Sequence, residues 1–296
     1  MAKLRISIVQ YLNTAPLVWG FTKGPLRGKY ELSFTVPSLC AEALRTGAAD
    51  VAIIPAIEYQ RIPGLVILPD LAIASKNRVR SLLLVSKVPI ERARWVALDS
   101  SSRSTQALVR ILCAEHWKSA AEFREAAPDL GAMLDSSDAA LLIGDPALRL
   151  SIAIEGAAKH GAAGEQICEG KTAGVDGGQL HIYDMAEEWR RFSGRPAVLA
   201  VWAARPEVAT PELAEEFRGS LKGGMAHVAE VSAEASKELQ LPADQLQRYL
   251  CENIDFSLDD ENRHGLELFY RYSARLGLIP AARAMEWAAR AESVRL

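Results

Sequence analysis

The sequence predicts a two-lobed α/β protein with a ligand cleft between the lobes. Three observations carry that prediction. The 296 residues, 49% hydrophobic and 24% charged, suit two cores better than one. Continuous apolar runs such as VAIIP at 51–55, SLLLVS at 81–86 and AALLI at 139–143 read as strands buried on both faces. These runs alternate with helical segments, and the alternation starts afresh after the breaker Lys87-Val88-Pro89.

The elements follow in order. Ile6–Val9 reads as the first strand, and Pro16 opens a short helix to Phe21. Glu31–Thr35 is a second strand, Ser38–Thr46 a helix closed by Gly47, and Asp50–Pro55 a third strand. Ser81–Ser86 is a strong strand. A new series begins with Trp95–Leu98, and DSSSRSTQ leads into a helix on which Leu108, Ile111, Leu112 and Glu115 share neighbouring turns. Ala139–Ile143 is a strand, and Gly144-Asp145-Pro146 opens a helix. Residues 159–180, rich in Gly and charge, read as irregular surface. MAEEWRRF is an amphipathic helix stopped by Gly194 and Pro196, and Ala197–Ala203 is one more strand. From the cap Thr210-Pro211 onward the pattern is helical, with Ser257-Leu258-Asp259-Asp260 resembling a capping box for a helix through Leu276.

This order assigns residues 1–87 and 196–296 to the first lobe and 88–195 to the second, joined by crossings near 86–92 and 183–196. The strands are expected to form parallel sheets. Open α/β sheets bind ligands at the carboxyl ends of their strands, so a cleft between two such sheets is the expected site.

Composition excludes several function classes. A net charge of −3 argues against a nucleic-acid partner. Cys40, Cys113, Cys168 and Cys251 are scattered without metal-ligand spacing, and read as buried free thiols. His116, His160, His181, His227 and His264 show no Ser, Cys or acid partner at a telling spacing, so no triad or metal site is built from them. The N-terminus lacks the apolar length of a signal peptide, and no run approaches a membrane span, so the expected location is cytoplasmic with no membrane partner. With no P-loop and no G-x-G-x-x-G after the first strand, no cofactor is expected. The oligomeric state is not legible.

Three strand-end segments are expected to face the cleft. Tyr11-Leu12-Asn13-Thr14 follows the first strand; Asn13 and Thr14 either cap the helix or reach a ligand, and Tyr11 either packs beneath the cleft or lines it. Ser100-Ser101-Ser102-Arg103-Ser104-Thr105 holds more hydroxyls than a cap requires, and with Arg103 it suits an anion at a helix N-terminus. Asp145 caps a helix, and faces a ligand only where it meets a hydroxyl. Ser38 and Ser81 are further candidates. Glu58 and Arg80 read as solvated charges, and Tyr59 as a packed aromatic.

YLNTAPL at 11–17, VAIIPAIEYQR at 51–61, SSSRSTQALVRILC at 100–113, IGDPAL at 143–148, YDMAEEWRRFSGRPAVLAVW at 183–202 and NIDFSLDDENRHGLELFYRYSARLGLIP at 253–280 resemble the chorismate dehydratase family of the futalosine route to menaquinone. The resemblance runs over nearly the whole chain, although Gln10 stands where that family more often has serine. It implies a type II periplasmic-binding-protein-like fold, and conversion of chorismate into 3-[(1-carboxyvinyl)oxy]benzoate and water. The related 1,4-dihydroxy-6-naphthoate synthase ranks second, because its early S-P-C-P-N-D-type motif is absent. A non-catalytic small-anion solute-binding or sensory module on the same fold is the alternative of another class.

Under this resemblance the expected reaction is a substrate-assisted elimination, since the strand ends offer no convincing His or Lys base. Asn13 is expected to position substrate oxygens. Ser101, Ser102, Arg103 and Ser104 are expected to bind a carboxylate from the second lobe, and Ser38 and Ser81 to serve the first. Tyr11, Thr14 and Asp145 complete the expected substrate contacts, with Thr105 less firmly placed.

Overall fold

The computed structural model describes residues 3–159, 171–173 and 179–289. Cys168, His160 and most of the stretch read as irregular surface lie outside them.

The buried apolar runs at 51–55, 82–86 and 139–143 become strands, with helices between them. β1 (Arg5–Val9), α1 (Ala15–Thr22), β2 (Glu31–Thr35), α2 (Pro37–Thr46), β3 (Val51–Pro55) and α3 (Ala56–Arg61) come first. A ten-residue strand, β4 (Val66–Ser75), precedes β5 (Leu82–Ser86). Next come β6 (Trp95–Asp99), α4 (Arg103–Ile111), β7 (Glu122–Ala126), α5 (Leu130–Ser136), β8 (Ala139–Ile143) and α6 (Gly144–Lys159). β9 (Lys171–Ala173), β10 (Gln179–Asp184), α7 (Met185–Ser193) and β11 (Ala197–Ala204) follow. The chain continues with α8 (Pro211–Ala226), α9 (Val228–Leu239), α10 (Ala243–Arg248), β12 (Asp255–Leu258) and α11 (Asp260–Arg275).

The strands form two six-stranded sheets, ordered β12-β4-β11-β3-β1-β2 and β7-β6-β8-β5-β10-β9. Both sheets share one plan. Each has a parallel trio with its first strand in the middle, β2-β1-β3 and β7-β6-β8. Beside the trio lies a strand that has just arrived from the other lobe: β11 in the first sheet and β5 in the second. Arriving strands run back along the sheet, so they pair antiparallel, β11 with β3 and β5 with β8. The expectation of parallel sheets is therefore corrected to mixed ones.

Further expectations need correction. Leu82–Ser86 pairs with β8 and β10, so it lies in the second sheet and not, as expected, in the stretch 1–87 of the first lobe. The first crossing thus falls between Ser75 and Leu82, and the second between Asp184 and Ala197. The C-terminal part is not helical throughout, because β12 adds an edge to the first sheet against β4. That strand takes Ser257, so the cap of α11 is Asp259, whose carboxylate accepts the Asn262 N–H at 2.8 Å. Of the cysteines, Cys40 and Cys113 are buried as expected, while Cys251 is exposed.

β3, β5 and β8 are buried along their entire length, so both of their faces are covered. Each fully buried Ile or Leu there contributes about 1.5–3 kcal/mol. α1, which follows the Tyr11–Thr14 segment, is fixed by close packing on α8. Ser220 Oγ accepts the Gly20 N–H at 2.9 Å and donates to the Leu17 carbonyl at 2.7 Å. At Gly224 a Cβ would drive into the Pro16 carbonyl oxygen. A Gly224→Val variant is expected to lose about 2–3 kcal/mol of stability, read as a lower urea midpoint.

Candidate functional site

The carboxyl ends of both parallel trios converge. After β1, the Leu12 N–H donates to Asp145 Oδ1 at 3.1 Å, and Asp145 follows β8. The Tyr11 hydroxyl lies 3.5 Å from Ser101 Oγ, beyond β6. After β2, the Ser38 N–H donates to the Ser101 carbonyl at 3.0 Å. After β3, the Ile57 N–H donates to Ser104 Oγ at 3.1 Å, and Arg103 pairs with Glu58 at 3.0 Å. The two lobes therefore stand closed on one another through direct contacts across the cleft.

Tyr11 lines this junction. Gly144 has a φ of 65°, and a Cβ there would lie 2.8 Å from the Tyr11 ring. Only glycine permits both the left-handed backbone and the close approach of the ring. A pocket of about 260 Å³ opens beside it, bounded by Tyr11, Leu12, Trp19, Phe34, Asp145 and Leu239. Asn13, Ser81 and the serines of 101–104 are outside its lining.

The serine loop is more self-contained than its sequence suggests. Asp99, at the end of β6, takes the Ser101 N–H at 2.9 Å and the Ser101 hydroxyl at 2.6 Å. A serine has one proton to give, so Ser101 presents lone pairs to Tyr11. Ser102 Oγ is 2.8 Å from the Thr105 hydroxyl. The remaining Asp99 oxygen, Oδ2, is buried without a partner among the described residues, and burial raises its carboxyl above the ordinary range. In this closed arrangement Arg103 and Ser104 contact protein groups across the cleft.

Thr14 is likewise committed, since its hydroxyl donates to the backbone carbonyls of Val9 and Tyr11. The expected solvated reading of Glu58 is wrong: it is 0% exposed and is ringed by Arg45, Arg61 and Arg103. Arg80, read as a surface charge, is 3% exposed, has a φ of 66° and pairs with Glu155 at 2.7 Å. His116 also has an acid partner, with Nε2 3.5 Å from a Glu188 oxygen. Glu188 comes from α7, too far along the chain for spacing to reveal the pair.

Asn13 and Ser81 meet at a residue the sequence reading missed. Tyr249, in the turn after α10, donates its hydroxyl proton to Ser81 Oγ at 2.8 Å. Burial holds this phenol far above its ordinary value, opposed by hydrogen bonds with Ser81 and Asn13. Asn13 Oδ1 is buried and without a partner among the described residues. No motif marks Tyr249, because LQRYLCEN reads as one more amphipathic turn.

A model of the family described as menaquinone biosynthesis matches residues 4–275. The chain belongs to that family. A chorismate dehydratase of Thermus thermophilus is 28% identical over 268 residues, which cover 89% of this chain and 93% of the relative. A crystal structure of an Archaeoglobus fulgidus protein superposes with a TM-score of 0.68 at 18% identity, covering 94% of this chain and 98% of that one. The periplasmic aliphatic sulphonate binding protein of Escherichia coli gives 0.62 at 15%, covering 99% and 94%. The fold of this menaquinone-family member is thus periplasmic-binding-protein-like. No helix among the described residues is long and apolar enough to cross a membrane.

Burial pushes the Asp145 carboxyl up to about 6 from 3.8, with the Leu12 N–H pulling the other way. An acid whose folded value is raised stabilises the fold below its unfolded value, and that contribution is lost as pH rises through the folded value. Asp145→Asn is expected to gain stability relative to the unaltered protein as pH rises from 3.8 to about 6. Urea unfolding across that window checks it, and a flat difference would contradict the burial of Asp145.

Proposed function

We propose that this protein is an enzyme, a chorismate dehydratase that makes 3-[(1-carboxyvinyl)oxy]benzoate and water. The observation that carries this reading is Asn13 Oδ1, a buried acceptor left without a partner at the closed strand-end junction. Burying an acceptor without a partner costs about 1–3 kcal/mol, a cost that a substrate hydroxyl admitted as the lobes part would relieve. The Thermus thermophilus relative, similar over 89% of this chain, supports the choice of substrate.

The reaction removes the proton on C3 of chorismate and the hydroxyl on C4, and the two leave together as water. Aromatisation of the ring drives it. The substrate's own enolpyruvyl carboxylate takes the C3 proton and passes it to the departing C4 oxygen, so that water leaves and the carboxylate is restored, while the protein holds that side chain over the ring. Orientation of this kind accounts for a large part of a barrier without a protein base. Asn13 engages the departing oxygen. Tyr11, which packs over Gly144, offers a surface beside the ring, while Ser38 and the backbone N–H groups opening α4 face the carboxylates once the lobes part. Asp145, with its raised carboxyl, meets a hydroxyl more readily than an anion.

Incubating the purified protein with chorismate tests the reading. An aromatic product lighter than chorismate by one water supports it. Tight binding with chorismate recovered unchanged would instead make the protein a solute-binding module.

A further inference from the structure

We propose that Tyr249 is a positioning residue of this site, whose single hydroxyl makes Ser81 a donor and Asn13 an acceptor for the substrate. The proposal rests on the function proposed above and extends it to a residue outside the strand-end segments.

The donor inventory leads to it. Tyr249 is 1% exposed, and burial keeps its phenol protonated, so it has one proton to give. That proton goes to Ser81 Oγ at 2.8 Å. Ser81 then keeps its own proton, for which no acceptor stands among the described residues. The oxygen of Tyr249 is left to accept, and Asn13, the neighbouring amide that favours the ionised phenol, is assigned as its donor. An amide that gives its N–H to a phenol turns its carbonyl the other way, and Asn13 Oδ1 is the buried oxygen without a partner. The proposed relay adds Asn13 N–H to Tyr249 O to the Tyr249 O–H to Ser81 Oγ bond, and so fixes both ends. One donor and one acceptor result, the pair needed to hold a hydroxyl that leaves as water.

The two ends come from remote parts of the chain. Ser81 sits on the first crossing, where Gly144 N–H donates to its carbonyl at 2.8 Å. Asn13 follows β1, and Tyr249 lies 168 residues beyond Ser81. Without the phenol, the Ser81 hydroxyl rotates freely and the Asn13 amide has no reason to prefer one orientation.

Tyr249→Phe keeps the ring and removes the hydroxyl. The expected result is a fall in kcat on chorismate of about fivefold to tenfold, because the hydroxyl that orients both Ser81 and Asn13 is gone. KM should move less than kcat, with rates taken on folded protein because the stranded Asn13 N–H also lowers the thermal midpoint. Adding Ser81→Ala to Tyr249→Phe should cost less than it costs alone, because the two act as one unit. An unchanged kcat, or strictly additive losses, would overturn the proposal. If the unaltered protein leaves chorismate intact, the function proposed above fails. The Tyr249 assignment is then decided by neutron structures of the protein and of Tyr249→Phe, which show the protons. A turned Ser81 hydroxyl or rotated Asn13 amide supports it, and unmoved side chains overturn it.

Discussion

Asn13→Ala is expected to lower kcat on chorismate by about 100-fold, close to 2.7 kcal/mol, while KM rises much less. The magnitude is that of removing one preorganised group that orients the substrate hydroxyl. Asn13 fits that description because its Oδ1 is buried and faces no protein donor. Substitution by Ala also frees the Tyr249 oxygen, so the loss extends to the orientation of Ser81. Steady-state rates with a folded variant decide the matter, and a variant with full turnover would remove Asn13 from the mechanism.

Asp184→Ala is expected to be the most destabilising single change, by about 4 kcal/mol. The carboxylate lies at the second crossing, yet it accepts N–H groups of Val79 and Arg80 from the first crossing at 3.1 and 2.6 Å. It also caps α7 through the N–H groups of Ala186 and Glu187 at 3.1 and 3.2 Å. Losing it strands two buried donors at about 1–3 kcal/mol each and a cap at about 1 kcal/mol. The crossing it ties down leads directly into Ser81, so activity should fall in step with stability. Chemical denaturation gives the value, and a loss under 1 kcal/mol would show that the crossings hold without this carboxylate.

The legible part of the fold was the part with a simple burial pattern. β3, β5 and β8 are covered on both faces, so their sequences are plain apolar runs. β4 was not legible, because Pro69-Asp70 interrupts it and Asp70 takes a φ of 70°. β7 carries charge along a sheet edge, and β12 hides in a stretch that otherwise reads as helix. The strand-end logic located Tyr11, Asn13, Ser101 and Asp145 in a single junction because turns after parallel strands must gather at one end of the sheet. What each side chain does there depended on partners that spacing does not show. Ser101 belongs to Asp99, Arg103 to Glu58 and Ser81 to Tyr249. Glu58 and Arg80 misled for the same reason: a charge reads as solvated until the distant arginines or glutamate that bury it are known.

The central claim is that the protein orients chorismate while the substrate supplies the base. The most direct test is to give the protein chorismate and, in parallel, the analogue whose side-chain carboxylate is an amide. The account predicts that chorismate yields the aromatic ether and one water, while the analogue binds and stays intact. Equal rates of dehydration for both compounds would contradict it.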